Sequence, residues 1–219
     1  MGRRFWRSGI SAFGVLLFIQ ACSNQTAKEL PVLGPYKVVD NIVDGRLITD
    51  TLFTQIRPFI FYDQDGEEIT EKTIEGKVCV VDFFFTSCPT ICPKMKQQML
   101  RIYDEFENEP DLVLLSHSID PKRDSVERLH EFAQKLNVEV SRWHFMTGDR
   151  DSIYSMAKHY MIAAQKDDEA PGGFAHSGAF LLVDKNRQIR GIYDGVDPES
   201  IDLMMDDIRS ILIEKSVLK

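Results

Sequence analysis

The sequence lacks what a nucleic-acid binder needs. Its 219 residues hold 26 lysines and arginines against 34 aspartates and glutamates, for a formal net charge of −8. No basic run occurs beyond the first residues, and aromatic and basic side chains do not interleave, so there is no surface built to neutralise phosphates. Internal repeats and low-complexity tracts are absent, which sets aside repeat architectures and a disordered main body. Cysteine is scarce, at four residues, so each one can be weighed by itself.

What is present begins with a leader. Arg3, Arg4 and Arg7 precede an uncharged run from Ser8 to Ala21, which is short for the roughly 20 apolar residues of a membrane span and suits a signal peptide. The run ends Ile19-Gln20-Ala21-Cys22. An aliphatic residue, then a small residue, then cysteine resembles the bacterial lipobox, although Gln20 is a less usual occupant of its position. On that reading residues 1–21 are removed, Cys22 is lipidated, 22–35 form a linker and 36–219 are an exported domain tethered to a membrane. An uncleaved N-terminal anchor is the alternative. Loss of the three leader arginines takes the formal charge from −8 to about −11. An acidic surface of this kind is usually just well solvated.

The other three cysteines lie close together in sequence. Cys79 sits inside the apolar run Val78 to Phe85, which is continuous rather than alternating, as expected of a strand buried on both faces. There it reads as an inert core thiol. Cys88 and Cys92 follow the strand in Thr86-Ser-Cys-Pro-Thr-Ile-Cys-Pro93. If a helix starts near Pro89, both sulfurs share one face about a turn apart, at a helix N-terminus that favours thiolate. A bridge between them would close almost no loop and add little stability, so redox chemistry or metal binding is the better use of the pair.

Along the rest of the chain, short strands are expected from Tyr36 to Ile69, with turns at Asp44-Gly45 and Asp65-Gly66. Met95, Met99, Ile102, Tyr103 and Phe106 predict a helix over 90–108, with the two methionines in the core rather than serving as thioether ligands. Leu112 to Leu115 predicts a second buried strand. Asp124 or Ser125 caps a helix running to Leu136. Trp143 to Met146 reads as a strand, Asp149 to Tyr160 as a helix and 165–175 as a polar loop. Two strands, Gly178 to Asp184 and Gln188 to Tyr193, precede a helix over 198–213. Strand–helix–strand–helix, then a hairpin and a closing helix, is the order of a thioredoxin-like α/β fold, here with an N-terminal β extension.

Two thiolates make half of a soft-metal site, and imidazole is the natural third donor. His130 and His159 fall in helix patterns, His117 at the end of a strand reads as structural, and for His144 beside Trp143 a packed or exposed position and a functional one stand equal. His176 follows Pro171-Gly-Gly173 at a loop–strand junction, where a side chain can reach the cysteine turn; functional and structural readings of it stand about equal. A trigonal Cys2His set suits Cu(I), whereas zinc ordinarily takes a fourth ligand that the sequence does not offer.

Phe83-Phe-Phe-Thr-Ser-Cys-Pro-Thr-Ile-Cys-Pro-Lys-Met95, then Asp120-Pro-Lys-Arg-Asp124, then His176-Ser with a strand ending Val183-Asp184, resembles the Sco/SenC family over residues 35–213. The resemblance implies a thioredoxin-like, copper-binding chaperone whose ligands are Cys88, Cys92 and His176. It also implies a role in assembling the binuclear copper centre of cytochrome c oxidase, by delivering Cu(I) or Cu(II) to the copper-receiving subunit, by reducing that subunit's thiols as a redox partner, or by both. The expected location is the periplasmic side of a membrane. Many members carry an acidic residue directly before the histidine; this chain has Ala175. Asp120 and Asp124 match a family motif and read first as turn and cap residues. A metal-independent thiol–disulfide oxidoreductase using Cys88 and Cys92 is the competing function, although its cysteines are usually three apart rather than four. A peroxidase of the same fold ranks last, because it leaves His176 without a role.

Overall fold

The computed structural model describes residues 29–167 and 174–214. The expected leader, the lipidation candidate Cys22 and residues 168–173 of the expected polar loop lie outside the described residues.

The apolar run becomes β5 (Val78–Phe84), buried at every position. It pairs in parallel with β6 (Leu112–Ser118), which pairs in parallel with β7 (Trp143–Met146). On its other side β5 meets β10 (Ala179–Val183), which runs antiparallel to it and to β11 (Ile189–Asp194). The sheet order is β11-β10-β5-β6-β7. Helices cover both faces, which is why β5 reads as continuous hydrocarbon. Burying each Val, Leu or Phe side chain of such a strand stabilises the fold by about 1.5–3 kcal/mol.

One face carries α1 (Cys92–Glu105) and α2 (Val126–Leu136): Cys92, Met95 and Met99 of α1 and Phe132 of α2 surround a small cavity with Asp82, Ser116 and Phe145. Beside α1 lies α4 (Pro198–Ile213), joined to it by ion pairs Arg101–Asp202 and Arg209–Glu105. The other face is covered by α3 (Arg150–His159) and by Phe59 and Phe61. Here His117 is fully buried, stacked on Phe83 at 4.9 Å and flanked by Tyr160 at 5.9 Å. Neither its ring nitrogens nor the Tyr160 hydroxyl makes a hydrogen bond to any described residue. His117 is therefore a packing residue, as a strand histidine was expected to be.

Both edges of the sheet are covered, which prevents strand addition. Along β7, Tyr62 of β3 (Ile60–Tyr62) bridges Thr147. Gln64 imitates a further strand, donating to Trp143 O at 2.8 Å and accepting from Phe145 N at 2.7 Å. Asp63 beside it meets His144 Nδ1 at 3.0 Å, giving that histidine a structural partner. β3 pairs with β4 (Glu68–Thr70) as the expected hairpin around Asp65-Gly66. Along β11, Leu33 N donates to Ile189 O at 2.7 Å. The guanidinium of Arg190 is held by Asp184 and Glu214, and it donates to the carbonyls of Leu30 and Pro31. The last residues of the expected linker are thus fastened to the sheet.

Two expectations need correction. The helix after the cysteine turn starts at Cys92, not near Pro89, and it is Pro93 that occupies the first turn. A proline fits either position, and the turn closed by Cys88 N donating to Phe85 O delays the helix. Of the two caps expected for α2, Ser125 is the one used, accepting from Arg128 N. The stretch read as a loop over 165–175 contains two short strands, β8 (Ala164–Lys166) and β9 (Phe174–His176), paired antiparallel. Their alternation is too brief to register against a polar, glycine-containing background.

The N-terminal extension is a long hairpin rather than a set of short strands. β1 (Tyr36–Val43) and β2 (Arg46–Phe53) pair antiparallel along their whole length. Asp44 and Gly45 both take positive φ, 50° and 75°, as the two central residues of a type I′ hairpin turn require. Nearly every residue of the hairpin is exposed. Among the described residues no helix is long and apolar enough to cross a membrane.

Candidate functional site

β5 and β6 deliver the site at their C-terminal ends, where the chain leaves β5 through Phe85-Thr86-Ser87 into the Cys88 turn. A buried carboxylate holds that turn in place. Asp124 is fully buried and accepts from Thr86 N at 3.0 Å, Thr86 Oγ1 at 2.6 Å and Ser118 Oγ at 2.6 Å. Asp120 sets up this clamp: its carbonyl accepts from Asp124 N at 2.9 Å and its own N–H is satisfied by Ser118 Oγ at 3.1 Å. Burial raises the Asp120 carboxyl above the usual range, against the pull of Arg123, whose guanidinium lies 3.3 Å away. Asp120 is the turn residue it was expected to be, whereas Asp124 grips Thr86 rather than capping a helix.

Cys88 and Cys92 are brought together, with only 9% of each exposed, and neither they nor Cys79 forms a disulfide. Their thiols are not equivalent. Burial pushes Cys88 up, but hydrogen bonds from the Cys92 thiol, from the Thr90 and Cys92 backbone N–H groups and from the Thr90 hydroxyl outweigh it; the net shift is downward. The Thr90 Oγ1 lies 3.7 Å from the sulfur. Cys92 moves the other way. Burial raises it, its hydrogen bond to Cys88 raises it further, and the negative charges of Cys88 and Asp82 add to the effect. The pair is a thiolate-prone sulfur in the turn and a proton-holding sulfur at the first turn of the helix. The two thiols are not both lowered, as the sequence reading expected: the backbone N–H groups of Thr90 and Cys92 serve Cys88, while the one that Phe85 directs at Cys92 is outweighed by burial. Cys79 is the core thiol it was expected to be, with burial pushing it up to about 12.

Beneath Cys92 lies a group that the sequence reading passed over. Asp82, the single acid within the apolar run, is buried and accepts from Ser116 Oγ, which accepts in turn from Trp143 Nε1 at 2.9 Å. Burial pushes its carboxyl up to about 7, against the Ser116 hydrogen bond. Asp82, Cys92 and Lys96 line one cavity of about 20 Å³, room for about one water molecule. The signal was there to find: a lone aspartate in a strand buried on both faces needs a partner or a purpose.

His176 ends β9, its backbone paired with Ala164, and Ser177 N donates to Ala163 O at 3.2 Å. Two neighbours bring this strand to the thiol turn. Phe174 packs on Phe85 with ring centroids 5.2 Å apart. Gly178, at φ +66°, comes so close that a Cβ there would meet Ile91 Cδ1 at 3.3 Å and Met95 Sδ at 4.0 Å. A side chain at 178 would be strained in φ and would push β9 off α1. The backbone of His176 is therefore bracketed against the Cys88–Cys92 segment, while its imidazole is outside the described side chains. Among the described side chains no cluster of three or more His, Cys, Asp or Glu donors forms a metal cage. Met95 and Met99 are buried core residues, as expected. His130 bonds Asp65 at 2.9 Å and His159 the Gln55 carbonyl at 3.0 Å.

These features define a thioredoxin-fold protein with an asymmetric C-x-x-x-C dithiol at the end of its central strand and a histidine-bearing strand fastened beside it. The chain belongs to the SCO1/SenC family, whose model matches residues 50–213. It is similar to a SCO1/SenC family lipoprotein from Bacillus anthracis str. Ames, at TM-score 0.66 and 30% identity, covering 72% of this chain and 94% of that one. It is also similar to BsSco, a member of the Sco family of cytochrome c oxidase assembly proteins in which a disulfide switch has been identified. That match has TM-score 0.64 and 31% identity, covering 74% and 95%. Arabidopsis thaliana ScoI with copper bound matches at TM-score 0.60 and 28% identity, over 71% of this chain and 99% of that one.

Proposed function

We propose that this chain binds copper through Cys88, Cys92 and His176 and passes it to the copper-receiving subunit of cytochrome c oxidase, from a position tethered to the outer side of a membrane by lipidated Cys22. The observation that carries this reading is the unequal thiol pair beside the strand bearing His176. A sulfur already inclined to thiolate takes up a soft cation readily, and the second thiol gives up its proton as the cation arrives. Two sulfurs and an imidazole satisfy Cu(I) while leaving room for an incoming ligand from the recipient, so the ion can be handed on. Copper in the Arabidopsis relative, oxidase assembly for BsSco and the lipoprotein nature of the Bacillus anthracis relative all support it.

Cu(I) affinity and stoichiometry of the reduced full chain, beside His176→Ala, test the reading. The expected result is one copper per wild-type chain and a loss in the variant exceeding the roughly 10–100-fold that removal of a supporting residue costs. Unchanged affinity in His176→Ala would overturn the ligand set.

A second reading rests on the same asymmetry. The Cys88 thiolate attacks a disulfide of a partner protein, and the Cys92 thiol then displaces the partner's sulfur, so the partner leaves with two thiols and Cys88–Cys92 becomes the disulfide. Turnover of a small disulfide substrate that survives both Cys88→Ser and Cys92→Ser disposes of it.

A further inference from the structure

The hairpin of β1 and β2 is the largest feature that the site does not use. Its exposed residues include Tyr36, Val38, Ile42 and Leu47, with Ile42 at 77% and Leu47 at 69% of full exposure. Large apolar side chains so close together in water ordinarily mark a surface that meets something.

Register divides the hairpin into two faces. Tyr36 lies opposite Phe53, Val38 opposite Thr51, Asp40 opposite Thr49 and Ile42 opposite Leu47, so these eight residues share one face. The Tyr36 and Phe53 rings pair at 5.9 Å. The one acid of that face is bonded within it, Thr49 Oγ1 donating to Asp40 Oδ1 at 2.7 Å. The opposite face carries Lys37, Asp50, Asn41 and Arg46 among its apolar residues. Charges spaced along both strands also blunt the hairpin's open edges against pairing with another strand.

Placement suggests what the apolar face meets. The base of the hairpin is fastened by Thr54 N to Pro35 O at 3.0 Å and by Ile56 N to Arg187 O at 2.8 Å. Arg187 lies in the turn between β10 and β11, beside the Arg190 clamp that holds Leu30 and Pro31. That turn is at the end of the sheet where Val183 meets Cys79, whereas the thiols follow the other end of β5. At about 3.3 Å per residue the two ends are roughly 20 Å apart. Hairpin and tether thus leave the fold together, on the side opposite the site. The eight-residue step from Cys22 to Leu30 spans at most about 28 Å. Each hairpin strand is about 27 Å long. A bilayer holding the lipid of Cys22 is therefore within the hairpin's reach.

We infer that the Tyr36–Val38–Ile42–Leu47 face of the hairpin rests on the lipid surface, at headgroup depth, and so holds the thiol end of the sheet pointing away from the membrane. This inference rests on the lipid-anchor reading of Cys22. Aliphatic and tyrosine side chains on one face, with Lys37 and Arg46 free to reach the headgroups from the other, suit an interfacial position rather than a spanning one.

Tryptophan quenching in vesicles tests it. The full chain, reconstituted in phosphatidylethanolamine–phosphatidylglycerol vesicles with brominated acyl chains, is compared as Leu47→Trp, as Ile48→Trp on the opposite face and as Leu203→Trp on exposed α4. Leu47→Trp is expected to lose about half its added fluorescence, Ile48→Trp less and Leu203→Trp none. A chain that floats with the vesicles while Leu47→Trp is quenched no more than Leu203→Trp overturns the hairpin inference alone. A chain that fails to float overturns the anchor reading and the inference with it. A blue shift at Leu47→Trp that grows with protein concentration without lipid assigns the face to a second copy and also overturns it.

Discussion

The two faces of the central sheet bury titratable groups under opposite rules. On the α3 face, His117 lies in hydrocarbon and rings with no hydrogen bond to a described residue, and burial alone depresses it to about 3. On the α1 face, the two acids beneath the thiol turn are partnered: Asp82 by Ser116, itself held by Trp143, and Asp124 by Thr86 and Ser118. Around His117 the α3 face only packs, with the buried His144–Asp63 pair kept to its β7 edge, while the α1 face reaches up into the thiol turn. Polar groups persist in a core where they position something, and the comparison can be broken first where that positioning is strongest. Asp124→Ala leaves three donors without their acceptor, Ser118 Oγ buried and the two of Thr86 part-buried, at roughly 1–3 kcal/mol each if nothing relaxes. The expected loss is about 3 kcal/mol or more in urea unfolding, together with weakened copper binding because Thr86 no longer holds Cys88. A variant as stable as wild type would show that the clamp is incidental.

The same comparison sharpens on the other face. His117 is depressed from 6.5 to about 3, so between those values the unfolded chain binds the proton that the folded chain refuses. The stability this group permits is present above pH 6.5 and lost as pH falls toward 3. His117→Leu keeps the packing and removes the titration. Between pH 7 and pH 5 wild type is expected to lose about 2 kcal/mol relative to the variant, at about 1.4 kcal/mol per unit. Urea midpoints at the two pH values measure this, and parallel curves would mean that His117 is protonated or solvated in the fold.

Much of the α1 face was legible in the sequence, and the exceptions have physical causes. The continuous run of Val78 to Phe85 announced a doubly buried strand, and the spacing of Cys88 and Cys92 announced a pair, because both signals are local. The start of α1 was not, since Pro89 and Pro93 are equally acceptable in a first turn and the choice is made by Cys88 N bonding Phe85 O. Nor was the grip of Asp124 on Thr86, which spans 38 positions and depends on how β5 and β6 lie side by side. The hairpin reads only as short strands, because its apolar residues fall in adjacent pairs, Val38-Val39, Ile42-Val43 and Leu47-Ile48, with no alternation to mark one long ladder. His176 was singled out by its junction; the bracketing of its strand by Phe174 and Gly178 is a product of packing.

Asp82 is the subtlest point of the comparison, because burial raises this acid of the polar face from 3.8 to about 7. Here the folded chain holds a proton that the unfolded chain has released, the reverse of His117. Its contribution is fully present below pH 3.8 and is lost as pH rises through about 7. Between about pH 4 and 6.5 the two faces therefore pull stability in opposite directions, and wild type should look flatter than either variant. Asp82→Asn keeps an acceptor for Ser116 and abolishes the charge. On going from pH 5 to pH 6 it should gain about 1 kcal/mol relative to wild type, because the opposing His117 contribution is left uncompensated; this lies below the full 1.4 kcal/mol per unit because the cavity of about 20 Å³ admits a water that eases the charged form. The charge also bears on Cys92, which Asp82 holds up. Asp82→Asn should therefore make Cys92 easier to deprotonate while leaving Cys88 little changed, read as the pH dependence of thiol alkylation followed residue by residue. Identical alkylation profiles with and without the Asp82 carboxylate would cut the link between the buried acid and the site, and would make the α1 face as purely structural as the one beneath α3.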